Sequence, residues 1–310
     1  MISIIMPVYN EGEQIYQNVV EVMQILNRNK IEYQFVLVDD GSRDNTLSEL
    51  NRLYKNYKNV SVIQLTRNFG KEAALCAALE NASGDACLVL DADLQHPAEL
   101  IPEMVRLWSK EGYDVVEGVK SDRGSESLFG KIAALTFYKI FNKTSGINLE
   151  SASDFKLLDR KVVEAWKSLN ESITFFRGMS AWVGFNRIQI PFEVKKRTNG
   201  NSKWSAKSLT KLAVQSITSY TSAPLYMITL LGVIMLFIDF ILLIQTLFMK
   251  FSGKALTGFT TVIILLLGTG SCIMISLGII GVYISKIYDE IKNRPRYLIA
   301  KKQGKGFLNG

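Results

Sequence analysis

The chain has 310 residues, 48% of them apolar, and a formal net charge of +7. That length holds a sizeable core without metal or disulfide staples, and three cysteines (Cys76, Cys87, Cys272) without ligand spacing exclude a disulfide framework and fit a reducing compartment. Long uninterrupted apolar runs occur only after residue 222, and a basic tail follows them directly, which favours an anionic membrane surface over nucleic acid as the partner of the excess charge.

The opening MISIIMPVYNEG lacks a basic start and reads as a strand rather than a signal peptide, which puts the first domain in the cytosol. Residues 2–7 form a short buried-strand run, and 13–27 carry helical periodicity. A second strand over 35–38 ends at Asp39-Asp40-Gly41-Ser42. A helix over 46–57, a strand over 60–65, a helix over 73–81 and a strand over 87–90 running into Asp91 follow. Alternating units of this size predict a mainly parallel sheet with helices on both faces, an α/β fold whose ligands bind at the carboxyl ends of strands.

Residues 128–141 and 205–220 are amphipathic with lysine on the polar side, and each is either a membrane-interface helix or a surface helix packed on the core. Residues 223–249 and 259–284 are each long enough to cross a bilayer core, which takes about 20 residues. The link between them holds only Lys250 and Lys254, whereas both outer flanks are rich in lysine and arginine. The positive-inside rule then puts both termini in the cytoplasm and the link outside. The expected organisation is a cytosolic domain over 1–222, two spans over 223–284 and a basic cytosolic tail over 285–310. Asp239, inside the first span, is costly unless it faces protein or water; a protected packed face is the simpler reading, an inter-helix or inter-subunit contact the functional one.

Three polar clusters fall at the ends of predicted strands. After strand four comes Asp91-Ala92-Asp93-Leu94-Gln95-His96, with two carboxylates that a bent backbone turns to one point. Hard oxygen ligands suit Mg2+ or Mn2+, which bind through one or two carboxylates plus substrate phosphates. Alone, such a pair reads equally as solvated loop caps. Its setting argues for more, because Pro7-Val8-Tyr9-Asn10-Glu11 and Asp39-Asp40-Gly41-Ser42 share its sheet edge. A tyrosine ring can stack on a nucleobase and a carboxylate can accept from base N–H or ribose hydroxyls, although Asp-Gly-Ser is also ordinary turn chemistry.

The segments MPVYNEG, VDDGSRDNT, TRNFGKEAAL, DADLQHPAE, SDFKLLDR and RTNGNSKW, in order from residue 6 to 204, resemble the motifs of family-2 glycosyltransferases. The resemblance is to the branch holding dolichol-phosphate mannose synthase and the bacterial polyprenyl-phosphate (bactoprenol) glycosyltransferases, and with the two spans it covers nearly the whole chain. It implies a GT-A nucleotide-sugar domain and an inverting transfer by direct displacement, from a nucleotide-sugar to polyprenyl phosphate, with glucose from UDP-glucose the first choice of donor. It implies that Pro7, Tyr9, Glu11, Asp39 and Asp40 hold base and ribose, with Arg67, Asn68 and Lys71 bordering the same cleft and Asp91 on the donor. Asp91, Asp93 and Gln95 would bind Mg2+ or Mn2+. Asp154 would sit near sugar and acceptor, as a base or a positioning group, and Arg197, Ser202 and Lys203 would face donor diphosphate or acceptor phosphate. The implied partners are the nucleotide-sugar, the polyprenyl phosphate and membrane lipid, without nucleic acid and with a homo-oligomer left open. The chain departs from many relatives at His96, where they have aspartate, and at Ser153, where several have glycine; His96 reads as a turn residue rather than a ligand.

Two other readings compete. A processive polysaccharide synthase shares the nucleotide-sugar motifs, but its Q-x-x-R-W signature is absent and two spans are few for a polymer channel. A non-enzymatic membrane accessory protein with a decayed transferase fold conflicts with intact Asp91, Asp93, Asp154 and Arg197. A dinucleotide oxidoreductase fails because no G-x-G-x-x-G follows the first strand.

Overall fold

The computed structural model describes residues 1–120, 153–169, 176–192, 223–252 and 258–304. The two amphipathic segments, 128–141 and 205–220, lie outside them. The chain divides into two compact units, one of Met1–Trp204 with Pro295–Gly310, the other of Ser205–Arg294.

The first unit starts with the anticipated alternation: β1 (Ile2–Val8), α1 (Ile15–Arg28), β2 (Tyr33–Asp39), α2 (Thr46–Asn56), β3 (Val60–Leu65), α3 (Lys71–Asn81) and β4 (Ala86–Val89). Among the described residues, α4 (Ile101–Glu111), β5 (Val115–Lys120), β6 (Lys156–Asp159), α5 (Arg160–Lys167), α6 (Phe176–Trp182) and β7 (Arg187–Phe192) follow before the apolar helices. The strands stand in the order β7-β5-β6-β4-β1-β2-β3-β8, where β8 is Ile299–Gln303. β1 pairs in parallel with β2 and β4, and β2 with β3. Both faces of these strands are covered, so they read as continuous apolar runs rather than alternating ones. α1 lays Ile15, Val19, Val22 and Leu26, at helical spacing, on a core that holds Ile4, Met6, Phe35 and Leu37. α3 is buried on every side from Ala73 to Leu79, and its alanines let it sit close to the sheet.

Register decides where the polar residues meet. Val8 lies beside Asp39, and Ile5 beside Val89, so β1, β2 and β4 end on one edge. β6 runs antiparallel to β4 with Lys156 opposite Val89. Its start therefore lies on the edge where β4 ends, and Asp154, two residues before it, arrives beside Asp91.

β8 was not expected. It follows the second apolar helix, yet it pairs antiparallel with β3, from Val62 opposite Gln303 to Leu65 opposite Ile299, with an irregularity at Gln64/Leu65. Gly304 takes φ +139° with its Cα hydrogens packed on Ser61, a place where a side chain would collide. Arg296 pairs with Glu80 and donates to the Leu169 carbonyl, Tyr297 donates to Glu80, and Lys302 donates to Asn81 Oδ1. These tail groups are engaged within the first unit rather than offered to lipid.

The second unit contains α7 (Ala223–Phe251) and α8 (Phe259–Ile291). Leu225–Met249 and Gly268–Ile291 are long and apolar enough to cross a membrane, by length and composition. α8 runs seven residues past the expected end at 284, through Lys286, Asp289 and Glu290. Asp239 is exposed on α7, not packed under described residues of this single chain.

Candidate active site at the carboxyl edge of the sheet

The loops after β1 and β2 hold each other. Asn10, at φ +54°, receives a hydrogen bond from Arg43 N on Oδ1 (2.9 Å) and donates its own amide to Ser42 Oγ (3.0 Å). Glu11 N donates to Thr46 Oγ1 (2.9 Å) and Gly12 N to Asp44 Oδ2 (3.1 Å). Pro7 is the penultimate residue of β1, and Tyr9, just past its end, is 40% exposed, its ring open to stacking. Asp39 is buried; Oδ1 accepts from Ser42 N, while Oδ2 has no hydrogen-bond partner among the described residues. A buried acceptor of that kind suits an N–H or O–H of a ligand.

Asp40 works differently. Its two oxygens accept from Phe69 N (2.7 Å) and Gly70 N (2.9 Å), the amides just before α3. Burial raises its pKa, against the lowering effect of those two bonds. Asp40 therefore fixes the entry of α3 and the position of Lys71. Gly41, at φ +69°, lets the Arg67–Asn68 backbone pass so close that a Cβ would lie 2.5 Å from Arg67 C. The Arg67 guanidinium lies over the Phe69 ring, 4.4 Å from its centroid.

Lys71 is the hub. Its Nζ lies 2.6 Å from Asp91 Oδ1 and 2.7 Å from Asp154 Oδ2. Burial would lower its pKa, but the two carboxylates hold it above the usual lysine range. Asp154 is buried, and also receives Arg177 Nε on Oδ1 (2.7 Å) and Arg177 Nη2 on Oδ2 (3.0 Å). Burial would raise the Asp154 pKa, yet Arg177 and Lys71 hold it far below the carboxylate range. Next to Lys71, Glu72 accepts from Phe176 N at 2.8 Å; burial first, then Asp154, push its pKa up to about 7.

Below this layer lies a second polar network. Ser153 Oγ donates to the Gly118 carbonyl and its amide donates to Glu117 Oε1 (3.0 Å), so the serine anchors the turn that presents Asp154. Glu117 also pairs with the buried Lys156 at 3.2 Å. His96 is buried, stacked on Phe155 at 5.1 Å and 11°, and burial lowers its pKa, which leaves the ring neutral at pH 7. It fills a packing position against Phe155, where the sequence predicts a turn residue.

The loop after β4 is tied to α1 by Asn18 Nδ2, which donates to Ala92 O at 2.7 Å. Asp93 accepts from Gln95 N (3.2 Å) and Gln95 Nε2 (2.6 Å), and Asp91 faces Lys71. Among the described residues no three His, Cys, Asp or Glu side chains gather into a cage. The loop offers two carboxylates and an amide oxygen, a hard-oxygen set that fits an ion completing its shell on a substrate diphosphate.

Asp91, Lys71 and Asp154 are thus brought together, with Asp93 and Gln95 on the same loop and Tyr9 and Asp39 at neighbouring strand ends. Lys71 bridges the two aspartates instead of merely bordering a nucleotide cleft. Arg197, Ser202 and Lys203 lie outside the described residues. Sequence reasoning missed Arg177 and Glu72. Glu72 stood next to Lys71 inside a motif already singled out, but nothing in the spacing joins Arg177 to Asp154.

The family model described as Glycosyl transferase family 2 matches residues 3–166. A bactoprenol glucosyl transferase of Shigella phage SfII is 37% identical over 308 residues, which cover 97% of this chain and 97% of its own. An uncharacterized glycosyltransferase of Synechocystis is 36% identical over 312 residues, with 99% and 97% covered. Among solved structures, glucosyl-3-phosphoglycerate synthase from Mycobacterium tuberculosis, in complex with Mn2+, UDP and phosphoglyceric acid, is similar with a TM-score of 0.49 and 21% identity, over 70% of this chain and 76% of that one. With half the chain matched by the family model and full-length relatives above one-third identity, the chain belongs to glycosyl transferase family 2.

Proposed function

We propose that this glycosyltransferase moves a sugar, glucose from UDP-glucose in the first instance, onto polyprenyl phosphate, with inversion and at the cytoplasmic face of a membrane. The observation that carries the reading is the Asp91–Lys71–Asp154–Arg177 cluster at the carboxyl edge of a nucleotide-sugar fold, in a chain that continues into two apolar helices. Relatives named bactoprenol glucosyl transferase, aligned along 97% of the chain, support the acceptor class and the donor sugar.

In this reading Pro7, Tyr9, Glu11 and Asp39 take the base and ribose, with Arg67 and Asn68 at the rim. Asp91, Asp93 and Gln95 would hold Mg2+ or Mn2+. When bound, that ion supplies Lewis-acid neutralisation of the charge on the departing diphosphate. Asp154 orients the reacting groups rather than removing a proton, because a carboxylate paired with two cations is a poor base. A phosphomonoester acceptor needs no strong base, being mostly dianionic near pH 7 with a second pKa of about 6. Lys71 and Arg177 offset the anionic charge of Asp154 as the phosphate approaches. Arg197, Ser202 and Lys203 are assigned to the acceptor phosphate, which must arrive from the bilayer surface because its tail stays in hydrocarbon.

Membrane anchoring belongs to the same proposal. β8 follows the second apolar helix and shares a sheet with β1, which supports two crossings and both termini on the cytoplasmic side.

The test incubates membranes holding the full chain with polyprenyl phosphate and radiolabelled UDP-glucose, UDP-N-acetylglucosamine or GDP-mannose, with and without EDTA. UDP-glucose should label the lipid fraction, and chelation should stop it until Mg2+ or Mn2+ is restored. Label in long polymer would favour a processive synthase. Absence of lipid label from every donor, in membranes where the protein binds nucleotide, would refute the acceptor.

A further inference from the structure

Asp154 receives hydrogen bonds from two cations of different kinds. Lys71 gives one contact at 2.7 Å and shares its charge with Asp91. Arg177 gives two, Nε on one oxygen and Nη2 on the other, at 2.7 and 3.0 Å. A point charge attracts a carboxylate without fixing its rotation, whereas a planar two-pronged guanidinium fixes both oxygens. The orientation of Asp154 therefore depends more on Arg177 than on Lys71.

What holds Arg177 is visible as well. It is the second residue of α6, whose first residue, Phe176, is buried and lies with its ring 5.8 Å from the Lys156 ammonium. The Phe176 amide donates to Glu72 Oε2 at 2.8 Å. Glu72 follows Lys71 in the first turn of α3, so two adjacent residues of one buried helix reach the same aspartate, one directly and one through α6.

We propose that Arg177 and Glu72 are positioning residues for the transfer step: Arg177 fixes the orientation of the Asp154 carboxylate, and Glu72 fixes Arg177 by holding the first amide of α6. This rests on the reading of Asp154 as a group at the reacting centre. Among the described residues, Arg177→Ala leaves Asp154 on Lys71 alone, free to turn toward the pair that Lys71 forms with Asp91. Glu72→Gln keeps a carbonyl oxygen for the Phe176 amide, whereas Glu72→Ala removes it.

The test uses the full chain in membranes with UDP-glucose and polyprenyl phosphate, and follows kcat, KM for the donor, and amide hydrogen exchange of a peptide that begins several residues before Phe176 and spans it. Arg177→Ala should lower kcat about 100-fold, the scale of a 1 Å misplacement, with donor KM nearly unchanged. Free guanidine should restore part of that rate, and Arg177→Lys should fall between the two. Glu72→Ala should lower kcat and speed exchange at Phe176, Glu72→Gln should do neither, and the double variant Glu72→Ala/Arg177→Ala should be no slower than Arg177→Ala. The exchange result is read without turnover and stands whichever acceptor the enzyme uses. Parental kcat in Arg177→Ala, with Asp154→Asn inactive, would overturn this proposal alone. Parental kcat in Asp154→Asn would instead overturn the reading of Asp154 beneath it. A raised donor KM at unchanged kcat in Arg177→Ala would make Arg177 a donor-binding group, and equal exchange in Glu72→Ala and the parent would remove Glu72.

Discussion

Glu80→Ala tests whether the segment after the apolar helices is a working part of the first unit. Glu80, near the end of α3, accepts from the Tyr297 hydroxyl and pairs with Arg296 Nη1 at 3.6 Å. Burial, then Glu80, hold the Tyr297 pKa above the phenol range, so the hydroxyl stays a donor. Truncation removes a hydrogen bond to a charged acceptor, about 1.5–3 kcal/mol, and a partly exposed ion pair of about 0.5 kcal/mol. The sum, roughly 2–3.5 kcal/mol, lowers the melting temperature of a domain of this size by about 4–14 °C. Tyr297→Phe, which removes the hydrogen bond but keeps the ion pair, should cost about four-fifths as much. Because both changes remove one shared bond, the double variant should melt close to Glu80→Ala rather than at the sum. Thermal unfolding of the detergent-purified chain by tryptophan fluorescence, with limited proteolysis around residues 292–298, measures this. Melting of both single variants within 1 °C of the parent, or full additivity in the double, would refute the reasoning.

Three other outcomes follow from the same contacts. Asp93→Asn keeps the shape of the loop but removes charge from the proposed metal set, so activity should fall by orders of magnitude; a variant near parental rate at limiting Mg2+ would exclude Asp93 as a ligand. Glu72, raised from 4.5 to about 7, binds its proton more tightly when folded, so its contribution is complete below pH 4.5 and lost as pH rises through 7. At about 1.4 kcal/mol per pKa unit this is roughly 3.5 kcal/mol, and Glu72→Gln should flatten the fall in melting temperature across that window; parallel curves would refute it. Gly41→Ala must push against the Arg67 backbone from a positive φ, and should cost about 2 kcal/mol or more by denaturant titration, an expectation that a change under 0.5 kcal/mol would contradict.

Much of this was readable in advance, for physical reasons. Buried parallel strands leave unmistakable apolar runs, so β1 to β4 lie within two residues of their expected bounds, and the strand-end rule located Asp39 and Asp91. Long-range pairing leaves no such trace. β6 enters antiparallel between β4 and β5, and only that register explains why Asp154 meets Asp91. The sequence IAKKQ has too little apolar character to suggest a strand, and its lysines suggested lipid; β8 forms because β3 offers a free edge and Glu80 and Asn81 offer partners. Arg177 was hidden for the same reason, since a side-chain fork across distant segments has no signature in spacing.

Helix α3 links these separate findings. Its first turn supplies Lys71 and Glu72 to the site, and its last supplies Glu80 and Asn81 to the tail. Between them Ala73 to Leu79 are buried on all sides, so the helix moves as a rod or not at all. A displacement of the tail is then transmitted along about 15 Å of helix, at 1.5 Å per residue, to the residues that hold Asp154. If that is correct, Glu80→Ala assayed below its melting temperature should lower kcat as well as stability, although Glu80 lies a full helix length from Lys71. Unchanged kcat in a variant with the expected loss of stability would confine the tail to holding the sheet edge.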